Sequence, residues 1–94
     1  MLVIPIWICN YPNPVNATTR IRIGVPADSY LSLVVVDVIG RTVRQLFSGI
    51  QTAGEHEYYW DGKNDSGVDL ASGIYFAVLH SNNRTQTVRM LLVR

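Results

Sequence analysis

Cysteine is all but missing from this 94-residue chain: Cys9 stands alone, so no disulfide can close within it, and the redox compartment cannot be read from cysteine usage. A lone thiol among apolar neighbours reads as a small hydrophobe in or beside a strand. Charge is scarce too. Only 16% of residues are charged and the formal net charge is +1, which leaves no basic footprint for nucleic acid or for an anionic membrane surface. No apolar run approaches the length of about 20 residues that a membrane span needs, so no membrane insertion is expected. Met1–Cys9 is apolar, but it has no positive leader, contains Pro5, and carries Ile8 where a cleavage site wants a small residue, so it does not read as a signal peptide. Also missing are a Gly-rich phosphate loop, zinc-type Cys/His spacing and a Gly-x-Ser-x-Gly nucleophile turn. His56 and His80 are the histidines, and His56 shares a strand face with Tyr58 and Trp60, the setting of a packed or hydrogen-bonded side chain. The chain is therefore read as non-enzymatic and without a cofactor.

What is present is short-period alternation, with no stretch of helical period. Leu2–Ile8 reads as a first strand that Pro5 confines to a sheet edge. In Asn10-Tyr-Pro-Asn-Pro14 two prolines force extended geometry. In Thr18–Val25, Ile21, Ile23 and Val25 share one face while Arg20, Arg22 and Gly24 share the other, the pattern of a half-buried strand. Pro26–Ser29 is a turn. Leu31, Leu33 and Val35 give the inward face of a strand that Val34 and Val36 make apolar on both sides, as in a central strand. Asp37–Gly40 reads as a tight hairpin, Asp capping and Gly supplying the left-handed residue. Arg41–Phe47 returns with Val43 inward, and Gly49–Gly54 reads as a loop. Glu55–Trp60 alternates, with His56, Tyr58 and Trp60 on one face. After a long break the strand opened by Gly73 is apolar on both faces, Ser81–Asn83 is a turn, and Thr85–Val93 is the last strand.

Seven short strands in about 100 residues with no helix predict an all-β, immunoglobulin-like sandwich of two antiparallel sheets. Residues 1–9 read as an edge strand or the end of an upstream linker, and 10–94 as the domain. The break Asp61–Ser72 becomes the crossing between the sheets, Trp60 a core plug, and Tyr75 a tyrosine corner whose phenol bonds back to upstream backbone. Asp61, Asn64, Asp65 and Asp69 crowd four oxygen-bearing side chains into that loop. Lys63 stands where an EF-hand-type loop needs an acceptor, and no bidentate Glu follows, so turn self-capping is preferred over calcium and no metal is expected. Trp7, Tyr11, Tyr30, Tyr58, Tyr59 and Trp60 are candidates for a carbohydrate platform or protein interface, with most expected in the core and Tyr59 exposed by parity. Two glycosylation sequons, at Asn16 and Asn83, carry little weight alone.

Five motifs in order resemble one family. They are Tyr11-Pro-Asn-Pro-Val-Asn-Ala-Thr-Thr19, Val35-Val-Asp-Val-Ile-Gly-Arg41, Ala53-Gly-Glu-His56, Trp60-Asp-Gly62 and Ala71-Ser-Gly-Ile-Tyr75. Together, over about Asn10–Arg94, they look like the C-terminal sorting domain of type IX secretion cargo, and like the related immunoglobulin-like domain of the flagellar hook-capping protein. Val15 and Val36 depart from that pattern, where an aromatic is usual. The resemblance implies a sandwich at the carboxyl end of a large secreted bacterial protein, read by outer-membrane translocon components as it moves its upstream cargo domain from the periplasm to the cell surface or beyond. Carried over, the sorting-motif residues are Tyr11, Pro12, Asn13 and Pro14, the hairpin's Asp37, Gly40 and Arg41, then Gly73, Tyr75 and the basic end Arg94. The alternative is a structural module, or one that binds carbohydrate or protein, serving as a spacer beside an enzyme or in a hook-cap scaffold.

Overall fold

The computed structural model describes residues 7–13, 18–81 and 84–94, with backbone alone at 12 and 13. Expectations that fall on Leu2–Ile6, on Pro14 and on the turn at Asn82 and Asn83 lie outside the described residues. Among the described residues seven strands are found: β1 (Trp7–Asn13), β2 (Thr18–Val25), β3 (Ser29–Val36), β4 (Thr42–Gln51), β5 (Gly54–Trp60), β6 (Gly73–Ser81) and β7 (Arg84–Leu92). All pair antiparallel, in a three-stranded sheet β1-β2-β5 and a four-stranded sheet β4-β3-β6-β7. This is the immunoglobulin-like sandwich that the strand pattern predicts. The fourth strand, which the constant-type arrangement keeps with the first, second and fifth, lies here beside β3.

Period-two alternation aims one face of each sheet at the other. Ile21, Ile23 and Val25 from β2 and Trp60 from β5 meet Leu31, Leu33 and Val35 from β3, Tyr75, Ala77 and Leu79 from β6, and Met90 and Leu92 from β7. Each residue expected inward on β2 and β3 is buried, and on β6, expected to be apolar on both faces, it is Tyr75, Ala77 and Leu79 that face the core. The chain changes sheets three times, at 26–28, at Thr52–Ala53 and at 61–72, so the long loop is one crossing among three. The first two meet at one end of the sandwich, where the Ala53 amide donates to Asp28 Oδ1 at 2.8 Å.

Three expectations need correction. β1 reaches Asn13, through the proline motif, because an edge strand does not need every ladder donor. β4 runs on to Gln51, which shrinks the expected loop at Gly49–Gly54 to Thr52–Ala53. Its pairing with β3 slips twice, leaving Leu46 and Val43 as extra residues, so that Leu46 and Phe47, like Val43 and Arg44, are both half-buried and plain alternation disappears. Finally, Tyr59 is not alone outside: Tyr30 is 64% exposed on the outer face of β3, and Tyr11 lies outward on β1. Tyr58 and Trp60 do face inward.

Candidate functional site

The strand registers gather most of the candidate residues at one end of the sandwich. Pro12 pairs with Thr19 and Thr19 with Trp60, Val36 pairs with Phe76, and Gly73 pairs with Leu92. The tail of the proline motif, the β3–β4 hairpin, the 61–72 crossing, the Gly73–Tyr75 corner and Arg94 therefore lie at the same end. Residues separated by most of the sequence share that end of the sandwich.

The hairpin is built around Asp37. Its Oδ1 accepts the amides of Ile39 at 3.1 Å and Arg41 at 2.9 Å, Oδ2 pairs with Arg41 Nε at 2.8 Å, and the backbone closes with Gly40 N donating to Asp37 O at 3.0 Å. Gly40 has φ 86°, a left-handed value that costs a glycine little. The cap holds two aliphatic side chains out at the tip, Val38 and Ile39, 68% and 70% exposed. The Arg41 amide above all holds the Asp37 carboxyl below its ordinary 3.8; desolvation, next in size, opposes it, and the Arg41 side chain and the Ile39 amide add to the lowering. A group whose value falls on folding stabilises the fold above its unfolded value and loses that contribution as pH drops through the folded one. Asp37→Asn should therefore lower the urea midpoint at neutral pH, and the gap from the parent should close as pH is taken below 3.8. A gap that persists unchanged at pH 2 would mean the carboxylate charge is irrelevant.

The crossing is a small structure in its own right. Asp61 Oδ1 accepts Lys63 N, Asn64 Oδ1 accepts the amides of Ser66 and Val68, and Leu70 N donates to Gly62 O at 2.9 Å. The loop docks on β4: Asp65 N donates to Val43 O, Gln45 N donates to Asp65 Oδ1, both at 3.0 Å, and Arg44 reaches Asn64 O at 3.2 Å. Asp69 lies 3.4 Å from Arg94. Asp61 and Asn64 thus cap the loop's own backbone, the arrangement preferred on sequence, while Asp65 serves β4 and Asp69 a guanidinium. Among the described residues no three His, Cys, Asp or Glu side chains form a group able to hold a metal ion.

Arg94 fastens the loop from the far end of the chain. Its amide donates to Ser72 Oγ at 3.0 Å, Nε to Leu70 O at 2.6 Å, and a terminal nitrogen to Gly62 O at 2.5 Å. Beneath it, the Tyr75 hydroxyl donates to Ala71 O at 2.7 Å and its ring meets Trp60 edge-on at 5.3 Å. This is the expected tyrosine corner. Tyr75→Phe should cost about 1–3 kcal/mol in urea melts, as a half-buried carbonyl loses its donor. His56 Nε2 bonds the Thr52 carbonyl at 2.7 Å, the hydrogen-bonded role expected of it, while His80 lies on the other sheet against Thr85. The roles of Arg94 and Arg44 were not legible in the sequence, because their partners lie about 20–30 residues away.

The family model for the FlgD Ig-like domain matches residues 14–84, from before β2 to the start of β7. The chain belongs to this family. Basal-body rod modification protein FlgD of Salmonella typhimurium is 38% identical over 77 residues, covering 79% of this chain and 33% of that protein. The FlgD of Salmonella typhi matches to the same extent. The chain spans about a third of the length of these relatives. A solved structure of PorZ, an essential bacterial surface component of the type-IX secretion system of Porphyromonas gingivalis, superposes with TM-score 0.60 and 22% identity, over 95% of this chain and 11% of that one. At that identity the likeness is one of fold. The FlgD match takes in the Asp37 hairpin, the crossing and the Tyr75 corner, and leaves Arg94 outside it.

Proposed function

We propose that this FlgD-like domain is a non-catalytic sorting and attachment module, which takes a larger secreted bacterial protein across the outer membrane to the cell surface through contacts with secretion translocon components. The observation that carries this reading is the convergence of the motif residues on one end of the sandwich. There the Asp37-capped hairpin holds Val38 and Ile39 in solvent and Arg94 fixes the crossing. Polar groups at that end are used to hold backbone in place, and two aliphatic side chains are offered outward. That arrangement suits docking of another protein better than chemistry on a small molecule. A type-IX surface component that carries this fold over 11% of its chain adds support.

The test is a secreted reporter fused ahead of this chain in a bacterium with a type IX translocon. Export to the surface or medium is expected, with at least about a tenfold loss for the pair Val38→Asp and Ile39→Asp, provided thermal melts show the variant folded. Retention of the unsubstituted fusion in the periplasm, with the domain folded, would overturn the proposal. A second reading is a structural module of a hook-cap-like scaffold, favoured by the 38% identity to FlgD. Under that reading the fusion is not exported, and the domain co-purifies with partners of a filament assembly.

A further inference from the structure

The outer face of the three-stranded sheet carries an arrangement that the export reading does not use. Residues directly opposite in an antiparallel pair share a face. Trp7, Gly24 and Glu55 therefore form one row across the sheet, Cys9, Arg22 and Glu57 the next, and Tyr11, Arg20 and Tyr59 the third. Trp7 lies directly on Gly24: a Cβ added there would sit 2.0 Å from the indole Nε1. The glycine is thus a seat for a flat ring, and the half-buried indole keeps a surface beside a cleft of about 300 Å³ that includes Pro26, Ala53 and Glu55, at the small end of ligand-sized clefts. Two rows away Tyr59 is 65% exposed.

Between the aromatics the charges are matched. Arg22 lies 2.6 Å from Glu55 and 3.8 Å from Glu57, and Arg20 lies 3.4 Å from Glu57 with its guanidinium 4.9 Å from the Tyr11 ring centre. Two arginines and two glutamates cancel, so the face projects no field that would gather phosphate or an acidic polymer. Held against one another, they present fixed donors and acceptors whose unused valences point outward. At about 3.4 Å per residue along a strand and about 4.8 Å between strands, Trp7 and Tyr59 are roughly 17 Å apart, too far for one sugar ring to touch both.

The geometry points to a binding platform for a neutral polysaccharide on this face, with Trp7 and Tyr59 stacking on the apolar C–H faces of separate sugar rings and the Arg20–Glu57 and Arg22–Glu55 pairs bonding to hydroxyls between them. Pyranose rings combine a flat apolar face with an equatorial belt of hydroxyls, and this surface alternates the same two properties. It faces away from the core, and the aliphatic hairpin tip belongs to the other sheet, so the platform stands or falls independently of export.

The test is affinity electrophoresis of the 94-residue chain in gels containing mixed-linkage β-glucan, glucomannan or galactan, with alginate as the acidic comparison. Retardation in at least one neutral glycan is expected, insensitive to added salt, weakened at least about tenfold by Trp7→Ala and by Tyr59→Ala, and unchanged by Tyr30→Ala on the opposite sheet. Gly24→Ala, which displaces the indole without removing it, should weaken binding as well, and thermal melts confirm that each variant is folded. No retardation in any of the three neutral glycans, retardation in alginate alone, or binding indifferent to Trp7→Ala in a folded variant would each overturn the assignment.

Discussion

Trp60→Ala is expected to cost about 3–5 kcal/mol, the range of large aromatic truncations in a core. The indole is 2% exposed, closes β5 opposite Thr19, and packs against the edge of Tyr75. Its removal forfeits the transfer energy of the ring and leaves a void between two sheets that their ladders prevent from collapsing. A second loss falls on the crossing, because Trp60 Nε1 donates to Lys63 O at 3.0 Å and holds the first turn of the loop. Trp60→Phe, which keeps much of the packing and drops the donor, should cost less. Urea melts with an unchanged denaturant slope measure both. A loss under about 1 kcal/mol for Trp60→Ala would mean the ring is not the core plug described above.

Deleting Val88–Arg94 should have a still larger effect and abolish the fold. The segment carries Met90 and Leu92, both buried, and the half of β7 that pairs with Gly73–Ala77. Two core side chains at about 2–5 kcal/mol each come to about 4–10 kcal/mol before the lost half-ladder is counted, comparable with the 5–15 kcal/mol that holds a typical domain together. The truncated chain should show no cooperative thermal transition and no near-ultraviolet circular dichroism. A cooperative melt would show that β7 is dispensable. An export defect in a fusion trimmed this way would therefore report unfolding, and for that reason the hairpin-tip substitutions are the sharper probe of recognition.

Sequence periodicity revealed the fold wherever one face of a strand is buried and the pairing is regular. Ile21, Ile23 and Val25, then Leu31, Leu33 and Val35, alternate cleanly and are all buried. It failed on β4, where the bulges at Val43 and Leu46 place consecutive residues toward the core, so that no period of two survives to be read. It failed at the end of β1, where Pro12 and Pro14 masked the continuation of a strand that an edge position tolerates. Tyr30 was misplaced because aromatic character predicts burial only on average, while its parity with Leu31 decides its face. For the candidate site, the turn chemistry of Asp37 and Gly40 and the Tyr75 corner were local and legible. Arg94 on Gly62, and Trp7 seated on Gly24, depend on which strands become neighbours, and short-range pattern carries no such information.

The docking of the crossing on β4 has a consequence for how the molecule behaves in company. β4 is an outermost strand of its sheet, and the unpaired amides and carbonyls of such a strand invite another chain to add on and aggregate. Here Val43 O and Gln45 N are already taken by Asp65, and the bulges nearby break the straight line an incoming strand would need. The loop therefore closes this part of the β4 edge to an incoming strand, and a second copy of the chain finds no straight ladder to extend there.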